Sequence, residues 1–101
     1  MRIIKLVAAG AAGVELVPLS PPRKSFIVQN VSDSEIVSLY NIPGKENEGI
    51  YLYPHTWLQF FPEDDAADQW FCYSTTGGTT NLHVIEIFEE IVKPTPWKWF
   101  W

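Results

Sequence analysis

The sequence predicts an all-β fold, a jelly-roll-like antiparallel β-sandwich with extended N- and C-terminal arms. Three observations carry that reading. Helical periodicity is nearly absent; short runs rich in Val, Ile, Tyr, Phe, Trp and Thr recur between clusters of Gly, Pro, Asn, Asp and Ser; and the runs repeat at close to the roughly 8 to 12 residues typical of sandwiches. A length of 101 residues, 47% of them hydrophobic, supports one core and is too short for two.

Eight strand segments follow in order. Residues 2–8 form a β-branched run that stops before Gly10 and Gly13, and residues 14–17 form a second, shorter one. Pro18, Pro21 and Pro22 then make a stiff link, which sets residues 1–22 apart as an N-terminal arm carrying two strands. In residues 24–31, Phe26, Val28 and Asn30 share one side while Ile27 and Gln29 take the other, because successive strand side chains alternate. Residues 36–40 come next. A polar connection over 42–48, with Pro43, Gly44 and Asn47, leads to residues 49–53, where Ile50 and Leu52 oppose Tyr51 and Tyr53. Residues 56–61 follow Pro54 and His55, and an acidic connection over 62–68 precedes residues 69–75. Thr75-Thr76-Gly77-Gly78-Thr79 supplies the positive-φ positions of a tight hairpin between the last two strands. In residues 80–88, Leu82 and Val84 oppose His83, Ile85 and Ile87. Several strands are apolar on both sides, so the second face of a sheet is expected to be covered by an arm or by another subunit.

Residues 23–92 thus form the sandwich domain, and residues 93–101 form an aromatic tail that reads K-P-T-P-W-K-W-F-W. Large aromatic side chains bury roughly 150 to 250 Å² each, so Trp97, Trp99, Phe100 and Trp101 together represent on the order of 800 Å². That exceeds the few hundred Å² of apolar patch a soluble monomer normally exposes. The tail is therefore expected to pack on its own domain or on a neighbour, with those four residues as the partner-binding site and the three indoles as its hot spots. Pro94 and Pro96 favour an extended arm.

Composition and spacing exclude several chemistries. Seven basic against twelve acidic residues give a net charge of -5, which disfavours nucleic acid, a ligand held by clustered Lys and Arg. The N-terminal apolar run is broken by Gly10 and Gly13 and closed by Glu15, so it reads neither as a secretory signal nor as a membrane span. His55 and His83 lack metal-ligand spacing. Cys72, the single cysteine, sits between Phe71 and Tyr73 in a strand, where a thiol is inert. Glu63, Asp64, Asp65 and Asp68 lack the pattern of a calcium loop, and pairing Asp64 or Asp68 with Glu86 as acid and base has no spacing to support it. Asn30-Val31-Ser32 matches a glycosylation sequon, but Asn30 and Gln29 are better placed to satisfy backbone groups at a strand end. No catalytic residue, cofactor or metal is expected. Tyr40, Tyr51, Tyr53, Trp57 and Trp70 read mainly as core and interface rings, with a sugar-stacking platform near 51–57 as the alternative.

Four segments between residues 23 and 88 share a layout with a known group of proteins. They are Arg23 leading into Phe26-Ile27-Val28-Gln29-Asn30-Val31-Ser32; Gly49-Ile50-Tyr51-Leu52-Tyr53-Pro54; Trp70-Phe71-Cys72-Tyr73-Ser74; and Gly78 followed by Leu82-His83-Val84-Ile85-Glu86. In this the chain resembles small virion proteins of tailed bacteriophages. The resemblance implies a β-sandwich module that decorates or cements a capsid, or sits in a head fibre or tail, without catalysis. It also implies a homo-oligomer, a trimer being one candidate, contacting the major capsid or another virion protein. The protein would be made in the host cytoplasm and reside in the virion, with neither nucleic acid nor membrane as a partner. No site residue is carried over from the resemblance.

Overall fold

The computed structural model describes residues 2–88, the side chain of Glu46 excepted. The tail residues Trp97, Trp99, Phe100 and Trp101 lie outside the described residues. Eight strands are present among the described residues: β1 (Arg2–Ala9), β2 (Val14–Val17), β3 (Arg23–Asn30), β4 (Val37–Tyr40), β5 (Ile50–Leu52), β6 (Trp57–Phe60), β7 (Trp70–Ser74) and β8 (Thr80–Phe88). Every expected segment is there, its ends within one residue of the reading from sequence. The two longer connections each hold a single 3₁₀ turn, Glu46–Glu48 and Pro62–Asp64.

The strands form two antiparallel sheets, ordered β1-β8-β3-β6 and β2-β7-β4-β5. Each strand pairs with the one at the mirrored position in the chain: β1 with β8, β2 with β7, β3 with β6 and β4 with β5. Two further ladders, β3 to β8 and β4 to β7, join these pairs into the sheets. Among the described residues only β4 and β5 are consecutive strands that pair, so the other connections between these strands carry the chain from one sheet to the other.

The expected hairpin between β7 and β8 is therefore corrected. The turn exists, with Gly77 at φ 84° and its N–H donating to the Ser74 carbonyl at 3.2 Å. Both edges of β7 are already taken by β2 and β4, and both edges of β8 by β1 and β3, so the turn links the two sheets instead. Residues 2–17, expected to belong to an arm, are built into both sheets. β1 lies along β8 over its whole length, and Ala9, Leu16 and Val17 are fully buried.

The core lies between the sheets. Phe26, Val28, Leu82 and Val84 point inward from one sheet, and Val37, Leu39, Leu52 and Cys72 from the other, all at 2% exposure or less. Each large aliphatic or aromatic side chain so buried is worth about 1.5 to 3 kcal/mol. The Phe26 and Phe60 rings stack with centroids 4.5 Å apart, and Trp70 tilts against Phe60 at 4.7 Å. Gly49 lets β5 approach β4, since a Cβ there would stand 2.5 Å from the Leu39 carbonyl oxygen.

Candidate interaction surface

The outward side of the β1-β8-β3-β6 sheet follows from its register. Ile4 stands opposite Ile85, and Ile85 opposite Ile27, giving an aliphatic row across three strands. In the next row Leu6 faces His83, His83 faces Gln29, and Gln29 faces Trp57. Ile4 is 69% exposed, Leu6 59% and Trp57 59%. Between the rows lies a shallow depression of about 160 Å³ lined by Ile4, Ile27, Gln29, Trp57, His83 and Ile85. Contiguous exposed apolar surface is the kind of surface that contact sites on soluble proteins generally use.

The opposite side of the same sheet carries a buried polar cluster. Arg23 is 2% exposed, and its Nη1 donates to Glu86 Oε1 at 2.8 Å. Its Nε donates to the Ala66 carbonyl, and its Nη2 to those of Pro18 and Asp68, each at 2.7 Å. Lys5 Nζ lies 3.4 Å from Glu86 Oε2. One planar guanidinium thus ties the proline link and the acidic connection to β8, a geometry a lysine cannot reproduce. Neither residue stood out in the sequence as a structural ion pair, although Glu86 keeps phase with Leu82 and Val84 and so had to face inward.

The remaining candidates fall apart spatially. His55 Nε2 lies 2.9 Å from Asp33 Oδ1 at an exposed turn, whereas His83 stands on the outer sheet face. No three His, Cys, Asp or Glu side chains gather as a metal site among the described residues. In the acidic connection, Asp64 Oδ2 accepts the Phe61 N–H at 3.1 Å, the Asp65 carbonyl accepts the Trp70 indole N–H at 2.9 Å, and the Asp68 carbonyl accepts Arg23. Glu86 is held by Arg23 and Lys5, which makes it an ion-pair partner rather than a proton shuttle. Asn30 is fully buried and plays the expected backbone role: its Nδ2 donates to the Glu35 and Leu52 carbonyls at 2.7 and 3.0 Å, and its Oδ1 accepts Ser32 N–H and Oγ–H. Its amide is inaccessible to a glycosyl donor in this fold. Gln29 instead faces outward.

Of the five rings weighed as core or platform, Tyr40 and Trp70 are buried, while Tyr51, Tyr53 and Trp57 are exposed. A groove of about 390 Å³ opens between β5 and β6, where Asn41, Asp64 and Asp65 face Ile50, Phe60 and Trp70.

Burial pushes the Cys72 thiol up to about 12. The folded protein thus favours the neutral thiol, and this contribution is complete below the thiol's ordinary value near 9.0 and declines as pH rises from there toward about 12. At pH 8, alkylation of Cys72 by iodoacetamide is expected to proceed only as fast as the chain unfolds. A labelling rate that stays the same across variants of differing stability would contradict this.

These observations define the class: an all-β protein of two packed four-stranded antiparallel sheets, with an apolar outer face and a buried ionic cluster. Comparison with protein-family models, curated proteins and solved structures yields no match.

Proposed function

We propose that the chain is a non-catalytic structural protein of a bacteriophage virion, a capsid decoration or cement protein that grips the shell and neighbouring subunits. The observation that carries this reading is the outer sheet face, where Ile4, Leu6 and Trp57 stand exposed beside Ile27 and Ile85 in a chain that also holds a tail of three tryptophans. Contact is the mechanism, with aromatic anchors supplying most of the energy. The layout shared with small tailed-phage virion proteins over residues 23–88 supports it. So does the strand order, because mirrored pairing of eight strands is what a long hairpin rolled upon itself produces, which is the jelly roll of many capsid proteins.

Deleting residues 94–101 is expected to leave the domain folded and to weaken attachment by about 30-fold or more, the loss that goes with one aromatic hot spot of ~2 kcal/mol. The test is to band virus particles assembled in cells expressing the tagged full or shortened chain. Equal amounts of both on the particles would remove the tail from the proposal, and absence of the full chain would remove the virion.

The exposure of Tyr51, Tyr53 and Trp57 favours a second reading, a carbohydrate-binding or host-recognition module of a phage tail or fibre. Selective binding on a glycan array, lost on replacing Tyr53 and Trp57 by alanine, would favour it over the first.

A further inference from the structure

We propose that the outer face of the β1-β8-β3-β6 sheet docks on the same face of a second copy of this chain, the two copies being related by a twofold axis that runs along the strands between β8 and β3. This rests on the reading of that face as a contact surface and names what the contact is with.

Charge selects the partner. The chain carries a net charge of -5, which sets two copies against each other wherever their acids meet. None of the four strands turns a carboxylate outward. Glu86, the only acid they contain, faces inward, where Arg23 and Lys5 hold it. The other acidic residues within 2–88 sit on β2 or on connections between strands. An acidic copy can therefore approach this face without like-charge repulsion, whereas a strongly charged partner finds little on it to pair with.

The order of residues across the strands selects the axis. The row Leu6, His83, Gln29, Trp57 is apolar at both ends and polar in the middle. A twofold along the strands reverses this row onto itself, so Leu6 meets the partner's Trp57 and His83 meets the partner's Gln29. An amide both donates and accepts, so it serves either tautomer of the imidazole. In the neighbouring row the same operation sets Ile85 on the partner's Ile27. A twofold across the strands, midway between the rows, would instead lay His83 and Gln29 on Ile85 and Ile27 and bury them without partners.

Arg2 stands opposite Ile87, one row beyond Ile4. The proposed axis places the two copies of Arg2 at opposite edges of the interface, about 14 Å apart across four strands spaced by ~4.8 Å, which exceeds the Debye length at physiological salt. The face measures about 19 Å across its strands and about 26 Å along its rows. Two copies thus cover on the order of 1,000 Å², the size that a specific interface has to reach. The contact is isologous and closes at two copies.

The test uses full-length chains that differ in tag. Leu6→Asp and Trp57→Lys, both at exposed positions, are checked for unaltered circular dichroism and sized by light scattering. The wild type is expected to be a dimer. Each single variant is expected to dissociate about 100-fold more readily, since a twofold contact counts every substitution twice and each count loses about tenfold. Mixing the two variants is expected to restore a heterodimer, because the introduced charges oppose each other in one half of the interface while Leu6 and Trp57 still meet in the other. A cysteine pair asks the same question without introduced charges. His83→Cys on one chain and Gln29→Cys on the other are expected to be joined by a short bismaleimide faster than either is joined to itself, Cys72 being buried. A wild-type monomer, single variants that stay dimeric, a mixture that stays monomeric, or cross-linking without that preference overturns the proposal. A wild-type monomer that still bands with virus particles overturns it while leaving the proposed function standing, and a dimer absent from the particles does the reverse.

Discussion

Replacing Arg23 by alanine is expected to remove about 3 to 5 kcal/mol of stability, a large fraction of the roughly 5 to 15 kcal/mol that a domain normally holds. The loss comes from what stays behind. Glu86, 3% exposed, would keep only Lys5 at 3.4 Å, and the carbonyls of Pro18, Ala66 and Asp68 would each lose a donor. Arg23→Lys keeps the charge without the planar fork and is expected to fall between alanine and the wild type. The double variant Arg23→Met with Glu86→Leu separates the two contributions. Removing both charges relieves the buried carboxylate, so it is expected to recover part of the loss and not all, because the three carbonyls still lack their donor. Denaturant midpoints measured at constant slope test this ordering; an Arg23→Ala variant within 1 kcal/mol of the wild type would refute it.

The second large effect is expected at Asn30. Asn30→Asp changes one heavy atom, yet it turns the donor that serves the Glu35 and Leu52 carbonyls into an acceptor facing two acceptors at a fully buried position. Each buried group left without a partner costs about 1 to 3 kcal/mol, so a loss of about 2 to 6 kcal/mol is expected at pH 7. The pH dependence identifies the cause. Burial among carbonyls raises the folded pKa of the introduced carboxyl above its unfolded value near 3.9. The variant is therefore least impaired below about pH 4 and loses ground to the wild type as pH rises through its folded pKa. Thermal unfolding followed from pH 3.5 to 7.5 reads this directly, and a gap independent of pH would count against it.

Strand positions were legible because alternation and turn residues are local signals. Gly, Pro and Asn clusters bound each run, and Phe26, Val28 and Asn30 lie on the buried side that their phase requires. Arg23 was not legible in the same way. A register shift between Arg23 and Ser25 breaks the alternation, so phase counted back from Phe26 misplaces it. The turn at Gly77 shows a different limit: backbone dihedrals fix the reversal but not the next strand's partner, which depends on edges supplied by β1 and β3 from far along the chain. The candidate interaction surface was half legible. Ile85 and Ile87 opposite Leu82 and Val84 show that β8 has two apolar sides, but only the register reveals that Ile4, Ile27 and Trp57 join them. Trp97, Trp99, Phe100 and Trp101 stand out by composition and lie outside the described residues.

Mirrored pairing also governs how the chain is made. The register that sets Arg2 opposite Ile87 means that β1 leaves the ribosome well before β8, its only ladder partner among the described residues. Until β8 emerges, Ile3, Ile4, Leu6 and Val7 wait without that ladder, a period in which unpaired edges aggregate. Loop closure over nearly the whole sequence must precede the reward of pairing, a recipe for slow refolding. Nascent chains stalled before Thr80 should accordingly lean on holdase chaperones, and the emergence of β8 becomes the committing event of biogenesis.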